Sequence, residues 1–206
     1  MLRRVKAFLV VLAIASALPL AVHAGADAPK TVIENYYAQL LKAMQNGPKL
    51  GYKGRYELLK PWVDKTFNVA LMAQASVGSY WDSMTADQRT RLVAAFRDFT
   101  IANYAHSFHS YDGEKFLTTD AQEAPRRDSK DIIVNTELVK SGGDKVALNY
   151  LLRPDGDNNY KVIDVYLDGS ISQLATRRSE YTSVIREQGV DALIGAIKKK
   201  ADGLAG

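Results

Sequence analysis

Residues 144–189 read DKVALNYLLRPDGDNNYKVIDVYLDGSISQLATRRSEYTSVIREQG, and the change of hydrophobic period inside this stretch decides the fold. In the first run Val146, Leu148, Tyr150 and Leu152 alternate with Ala147, Asn149, Leu151 and Arg153. A period of two puts the first set on one face of a strand. Residues 154–159, PDGDNN, are turn chemistry, because Pro fixes φ while Gly and Asn accept positive φ. The second run, Tyr160 to Leu167, is apolar on both faces: strict alternation sends Val162 and Tyr166 one way and Ile163, Val165 and Leu167 the other. Such a strand has something packed on each side, either helices or a ligand. Asp168-Gly169 breaks it. Ser170 with Gln173 matches a capping box, which predicts a helix from there, with Ile171, Leu174, Tyr181 and Ile185 on one stripe and a stop at Gly189.

Upstream, Ile132, Val134, Thr136 and Leu138 alternate in the same way, and Ser141-Gly142-Gly143-Asp144 is a hairpin turn. Lys115 to Thr119 is a short strand, and residues 124–130 are an exposed loop. Before residue 113 the period is helical. A helix over residues 27–46 ends at Gly47-Pro48. Residues 50–56 are a Gly-containing connector with solvated Lys53 and Arg55, and residues 57–79 alternate short helices and breaks. Tyr80-Trp81 is expected to be an aromatic plug between helices. Thr85 and Gln88 form a capping box for a long helix to about Ser110. Its stripe is Leu92, Phe96, Phe99 and Asn103, flanked by Val93, Thr100 and Tyr104, and its end is rich in aromatics: Tyr104, Phe108 and Tyr111. The last helix, residues 190–204, buries Leu193, Ile194 and Ile197. The order is helices, then four antiparallel strands, then two helices, which is an α+β fold with a twisted four-stranded sheet. No internal repeat is present, and one domain is expected over residues 25–206.

Residues 1–24 read as a signal peptide. Arg3, Arg4 and Lys6 precede the apolar run from Ala7 to Ala17, and Val22-His23-Ala24 offers a small-x-small cleavage site. Cleavage there removes three of the 27 basic residues and none of the 23 acidic ones, leaving 24 against 23. A charge of about +1 lacks the basic footprint that nucleic acid needs. The chain has no Cys, which excludes a lipoprotein anchor, a thiol nucleophile and a disulfide framework.

Little else looks catalytic. His106 and His109 are the two histidines left after cleavage. Their spacing places them together on a helix, but no carboxylate or Cys motif accompanies them, so no metal is expected. No G-x-S-x-G, G-x-G-x-x-G or P-loop is present, and no cofactor is expected. Asp164 is the one enzymatic candidate, since a carboxyl in an apolar cleft can act as a general base of isomerase type. A strand Asp serves equally as an acceptor for a neighbouring loop, or pairs with Arg177 or Arg178. A third possibility is a structural protein whose apolar faces are all core.

Tyr160-Lys161-Val162-Ile163-Asp164-Val165, then Asp168-Gly169-Ser170-Ile171-Ser172, Arg178 and Gly189-Val190-Asp191-Ala192-Leu193-Ile194 resemble the MlaC-type family, once called toluene-tolerance proteins. Further upstream, Ala86-Asp87-Gln88-Arg89, Ala95-Phe96-Arg97-Asp98-Phe99 and Tyr111-Asp112-Gly113 extend the resemblance to residues 30–200. The wording YLDGSISQLATRRSEY is most similar to its hopanoid-associated HpnM branch. Tyr160 departs from the Trp common in the family and keeps an aromatic body. The resemblance implies a periplasmic carrier of phospholipid or hopanoid. Its implied partners are an inner-membrane ABC transporter complex and an outer-membrane lipid-accepting complex, and a monomer is expected. It also implies that the apolar faces enclose a cavity. The lining would be Phe96, Phe99 and Tyr104 from the long helix, and Leu148, Tyr150 and Leu152 from the first strand. Val162 and Tyr166 would come from the second strand, and Ile171 and Leu174 from the helix after it. Lys198, Lys199 and Lys200 either complement the last helix's C-terminus or dock an acidic partner.

Overall fold

The computed structural model describes residues 24–125, 129–156 and 159–205. The expected signal segment therefore lies outside the described residues, apart from Ala24 at its end. Five helices come first: α1 (Ala24–Gln45), α2 (Gly47–Thr66), α3 (Val69–Val77), α4 (Tyr80–Ser83) and α5 (Ala86–Ser107). The strands follow: β1 (Lys115–Glu123), β2 (Ile132–Val139), β3 (Lys145–Pro154), β4 (Tyr160–Leu167) and β5 (Ile171–Ser172). Helices α6 (Gln173–Gln188) and α7 (Val190–Gly203) close the chain. The fold is α+β, with all five strands in sequence order in one antiparallel sheet. Among the described residues no helix is long and apolar enough to cross a membrane.

The sheet has five strands, where the sequence pattern suggested four. Asp168 (φ 49°) and Gly169 (φ 73°) are both left-handed, as the central residues of a type I′ turn require. Ser170 N–H bonds Leu167 O at 3.2 Å, and Ile171 and Ser172 pair back onto Leu167 and Tyr166. The chain thus turns into a strand before it turns into a helix. Ser172, not Ser170, caps α6, its hydroxyl accepting from Ala175 N–H at 2.9 Å. Ile171 is accordingly not on the helix stripe; it sits on the edge strand, 52% exposed.

Strand β4 also departs from strict alternation. Leu151 pairs with Asp164 while the next residue, Leu152, pairs with Val162. Ile163 is therefore the extra residue of a β-bulge, and everything after it changes face. Val162 stays with Leu152 on the helix-covered side, and Val165 and Leu167 join it opposite Tyr150 and Leu148. Tyr166 goes to the other side with Ile163 and Asp164, so the expected pairing of Val162 with Tyr166 does not hold.

One connected set of buried side chains runs through the helices and the inner sheet face, from Ile33, Tyr36 and Leu40 on α1 to Leu193, Ile194 and Ile197 on α7. The capping box at Thr85 and Gln88 is present in both directions, each bond 3.1 Å. The expected connector at residues 50–56 belongs to α2, interrupted only at Gly51, whose φ of 60° makes a kink. Arg55 is not solvated. It is 8% exposed, and its guanidinium donates to Ala105 O at 2.8 Å and Gly47 O at 3.1 Å. This ties the last turn of α5 to the first turn of α2. Tyr80 and Trp81 are half-buried against the core, and Trp81 carries Arg89 over its ring at 5.3 Å.

Candidate ligand pocket

A pocket of about 360 Å³ lies between α5, the inner sheet face and the start of α6. Helix α5 is long enough to cross the sheet, and its turns present Phe96, Thr100, Tyr104 and Phe108 in succession. Leu148 and Tyr150 come from β3, and the bulge delivers Val165 and Leu167 beside them. Phe67 and Met72 close one side; Gln173, Leu174 and Arg177 of α6 close the other. The remaining polar lining is Asn103 and Ser107. No carboxylate, His or Cys contributes to the wall.

The back of the pocket is a layer of aromatic rings. Tyr36 meets Phe67 and Tyr104 edge to face, with centroids 5.2 and 5.3 Å apart. Tyr104 stacks on Phe108 at 5.8 Å, and Tyr37 stacks on Phe116 at 4.3 Å. Thr136 spends its hydroxyl hydrogen on Leu148 O, so the Tyr37 hydroxyl donates to Thr136 Oγ1. Burial pushes the Tyr37 hydroxyl up to about 12, with the Thr136 and Tyr150 hydroxyls pulling the other way. Burial likewise raises Tyr36, Tyr104 and Tyr150 well above the ordinary tyrosine value. These hydroxyls are thus neutral at any physiological pH and supply hydrogen-bonding groups without charge.

Of the ten residues expected to line a cavity, Phe96, Tyr104, Leu148, Tyr150 and Leu174 meet at this pocket. Leu152 and Val162 face the same side but are fully buried in the core. Phe99 is buried one turn from Phe96, beneath the Arg177 guanidinium. Tyr166 and Ile171 lie elsewhere, for the reasons given above. Sequence periodicity missed Val165 and Leu167 because nothing local announces a bulge; it missed Phe67, an extended residue after α2 that bridges to Val162, because that pairing is long-range, and Met72 because it comes from a nine-residue helix. The Asp-Gly dipeptide was a readable hairpin signal for β5.

Asp164 is a structural acceptor. It takes Val165 N–H at 2.7 Å, Ser172 Oγ–H at 2.5 Å and Leu174 N–H at 3.0 Å, fastening the start of α6 to β4 in place of pairing with Arg177 or Arg178. It lies on the outer sheet face, in a second, larger and more open cleft of about 730 Å³ with Leu71, Ile133, Leu151, Tyr166 and Arg178. There Arg153 holds the buried Asp131 in a two-pronged ion pair, both contacts 2.8 Å. His106 and His109 bond backbone carbonyls, Leu204 O at 3.2 Å and His106 O at 2.9 Å. Among the described residues no group of three or more His, Cys, Asp or Glu is placed to hold a metal.

Helices packed on one face of an antiparallel sheet, with a mainly apolar, carboxylate-free pocket between them, define an α+β fold built around a pocket. A solved structure shares this fold: a phospholipid-binding protein from Ralstonia solanacearum in complex with a phospholipid. Its TM-score is 0.73 at 20% identity, covering 88% of this chain and 99% of that one. The chain belongs to the MlaC protein family, whose pattern it matches over residues 34–199. A curated relative, the intermembrane phospholipid transport system binding protein MlaC of Haemophilus influenzae, is 25% identical over 136 residues. That match spans 65% of this chain and 62% of the relative's length.

Proposed function

We propose that this protein is a periplasmic lipid carrier, exported by cleavage after Ala24. It acts as a single monomeric domain, residues 25–206. The observation that carries the reading is the apolar pocket of about 360 Å³ walled by α5, β3, β4 and α6, in a chain of the MlaC family. Two acyl chains hold on the order of 30 methylenes, each costing about 0.8 kcal/mol to expose to water. A carrier between membranes must replace that contact with a dry lining, and needs few specific polar groups to do so. Phospholipid is the first ligand to test, since the relatives are named for it. Hopanoid is the second, on the likeness of residues 166–181 to the hopanoid-associated branch. Its partners would be an inner-membrane ABC transporter complex and an outer-membrane lipid-accepting complex. The three lysines 198–200, all exposed, offer a cationic surface for one of them.

Mass spectrometry of gently purified periplasmic protein tests export and lipid binding together. The expected result is a chain starting at Gly25 with one lipid bound. Protein that carries no lipid, even after incubation with vesicles of phosphatidylethanolamine and phosphatidylglycerol or with extracted hopanoids, would sink the reading.

A further inference from the structure

The pocket's single ionisable cation stands in an unusual place. Arg177 is half-buried and lines the apolar pocket. Its guanidinium lies over two aromatic rings, 4.7 Å from the centroid of Phe99 and 5.4 Å from that of Phe96. Lys200, arriving from α7, places its ammonium 5.4 Å from the same Phe99 ring. The two cations are therefore no further apart than about 10 Å, comparable to the Debye length of about 10 Å at 0.1 M salt. Among the described residues neither forms an ion pair with a carboxylate, although Arg91, Arg97 and Arg153 all do. Arg177 hydrogen-bonds the Tyr181 hydroxyl, a neutral partner that leaves its charge uncompensated; like charges drawn to the same buried ring repel each other, and an anion within reach of both lowers that cost. A planar guanidinium also suits the two-pronged binding of a phosphate.

We infer that Arg177, with Lys200 as a second cation, forms an anion subsite at the pocket that holds the phosphate of an amphiphile whose chain fills the apolar part. This rests on the lipid-carrier reading and deepens it. The subsite selects a phosphate-bearing lipid over a neutral polycyclic terpenoid of comparable apolar bulk. The neutral pocket groups Asn103 and Ser107 provide hydrogen bonds without undoing that preference.

The test uses delipidated full-length mature protein. Binding of dodecyl phosphate is compared with that of uncharged dodecyl maltoside, which shares the chain, and of inorganic phosphate alone. Wild type is expected to favour dodecyl phosphate by roughly tenfold or more, with the preference shrinking as salt rises. Arg177→Gln should abolish the preference, read as the ratio of the two affinities within each variant; Arg177→Lys should keep part of it, and Lys200→Gln should reduce it less than Arg177→Gln. Equal affinity of wild type for both detergents, or an undiminished preference in Arg177→Gln, would overturn the subsite while leaving the carrier reading standing. Failure of wild type to bind either chain would count against the carrier reading itself. Displacement of dodecyl phosphate by equimolar inorganic phosphate would mean that the anion binds apart from the pocket, and would also overturn the assignment. Should Arg177→Gln not fold, the wild-type comparison and Lys200→Gln decide alone: with no preference in wild type, or no loss in Lys200→Gln, the two-cation subsite is wrong.

Discussion

Leu148 and Leu152 are two residues apart on the same face of β3, and their difference is the sharpest local consequence of the pocket. Leu152 is fully buried opposite Val162, so Leu152→Ala should cost 2–5 kcal/mol, roughly the range for a close-packed core leucine. Leu148 faces the pocket and has fewer packed neighbours when no ligand is present. In delipidated protein Leu148→Ala should cost less than half as much in urea unfolding, while Leu148→Trp should fold and carry less lipid. Equal losses at the two positions would place Leu148 in solid core. Asp164 tests a different point. Asp164→Asn removes a carboxylate that three donors share, and about 1–3 kcal/mol should go with it. Lipid should still copurify, since the carboxylate faces the outer sheet surface and not the pocket. Alternation made Leu148, Tyr150 and Leu152 legible in the sequence. Asp164 could be read only as one of two things, because hydrogen bonds to a helix start ten residues away leave no trace in spacing.

Helices and strands were legible wherever their signals are local. The capping box at Thr85 and Gln88 located the start of α5, and Gly189, read as a helix stop, separated α6 from α7. What stayed hidden depends on pairing between distant segments. The bulge at Ile163 is a register event between β3 and β4, and it exchanges Tyr166 for Val165 and Leu167 in the pocket wall. Arg55 is another such case. Its neighbours in sequence are polar and Gly-rich, yet tertiary packing turns it inward to serve carbonyls at the ends of two helices. Those carbonyls include one of the last four of α5, which have no partner within the helix. Arg55→Met keeps much of the bulk and removes the donors, so a loss of about 2–4 kcal/mol is expected. Amide exchange should quicken selectively at the α5 end and the α2 start. Uniform exchange across the protein would mean that Arg55 is only filling space.

For the molecule as a whole, the buried tyrosines set an upper limit in pH. Folding raises the Tyr37 hydroxyl from 10 to about 12 by burial and raises Tyr36, Tyr104 and Tyr150 as well. The native state thus holds these protons more tightly than the unfolded chain does. The stability they contribute is complete below pH 10 and is lost as pH climbs from 10 through the folded values; for Tyr37 alone this is on the order of 2–3 kcal/mol. The urea midpoint should be insensitive to these groups up to about pH 9.5 and fall steeply above. Tyrosinate absorbance from the buried set should rise together with unfolding, not ahead of it. The free margin of the sheet governs a separate property, crowding tolerance. Strand β1 has one unpaired side, the kind of edge onto which a second chain can zip. It is broken by a register shift between Thr118 and Asp120 and carries exposed Lys115, Asp120 and Glu123. Two copies of this protein that meet edge to edge meet at this margin. With that margin bent and charged, such collisions stay elastic, and filaments do not start from the sheet.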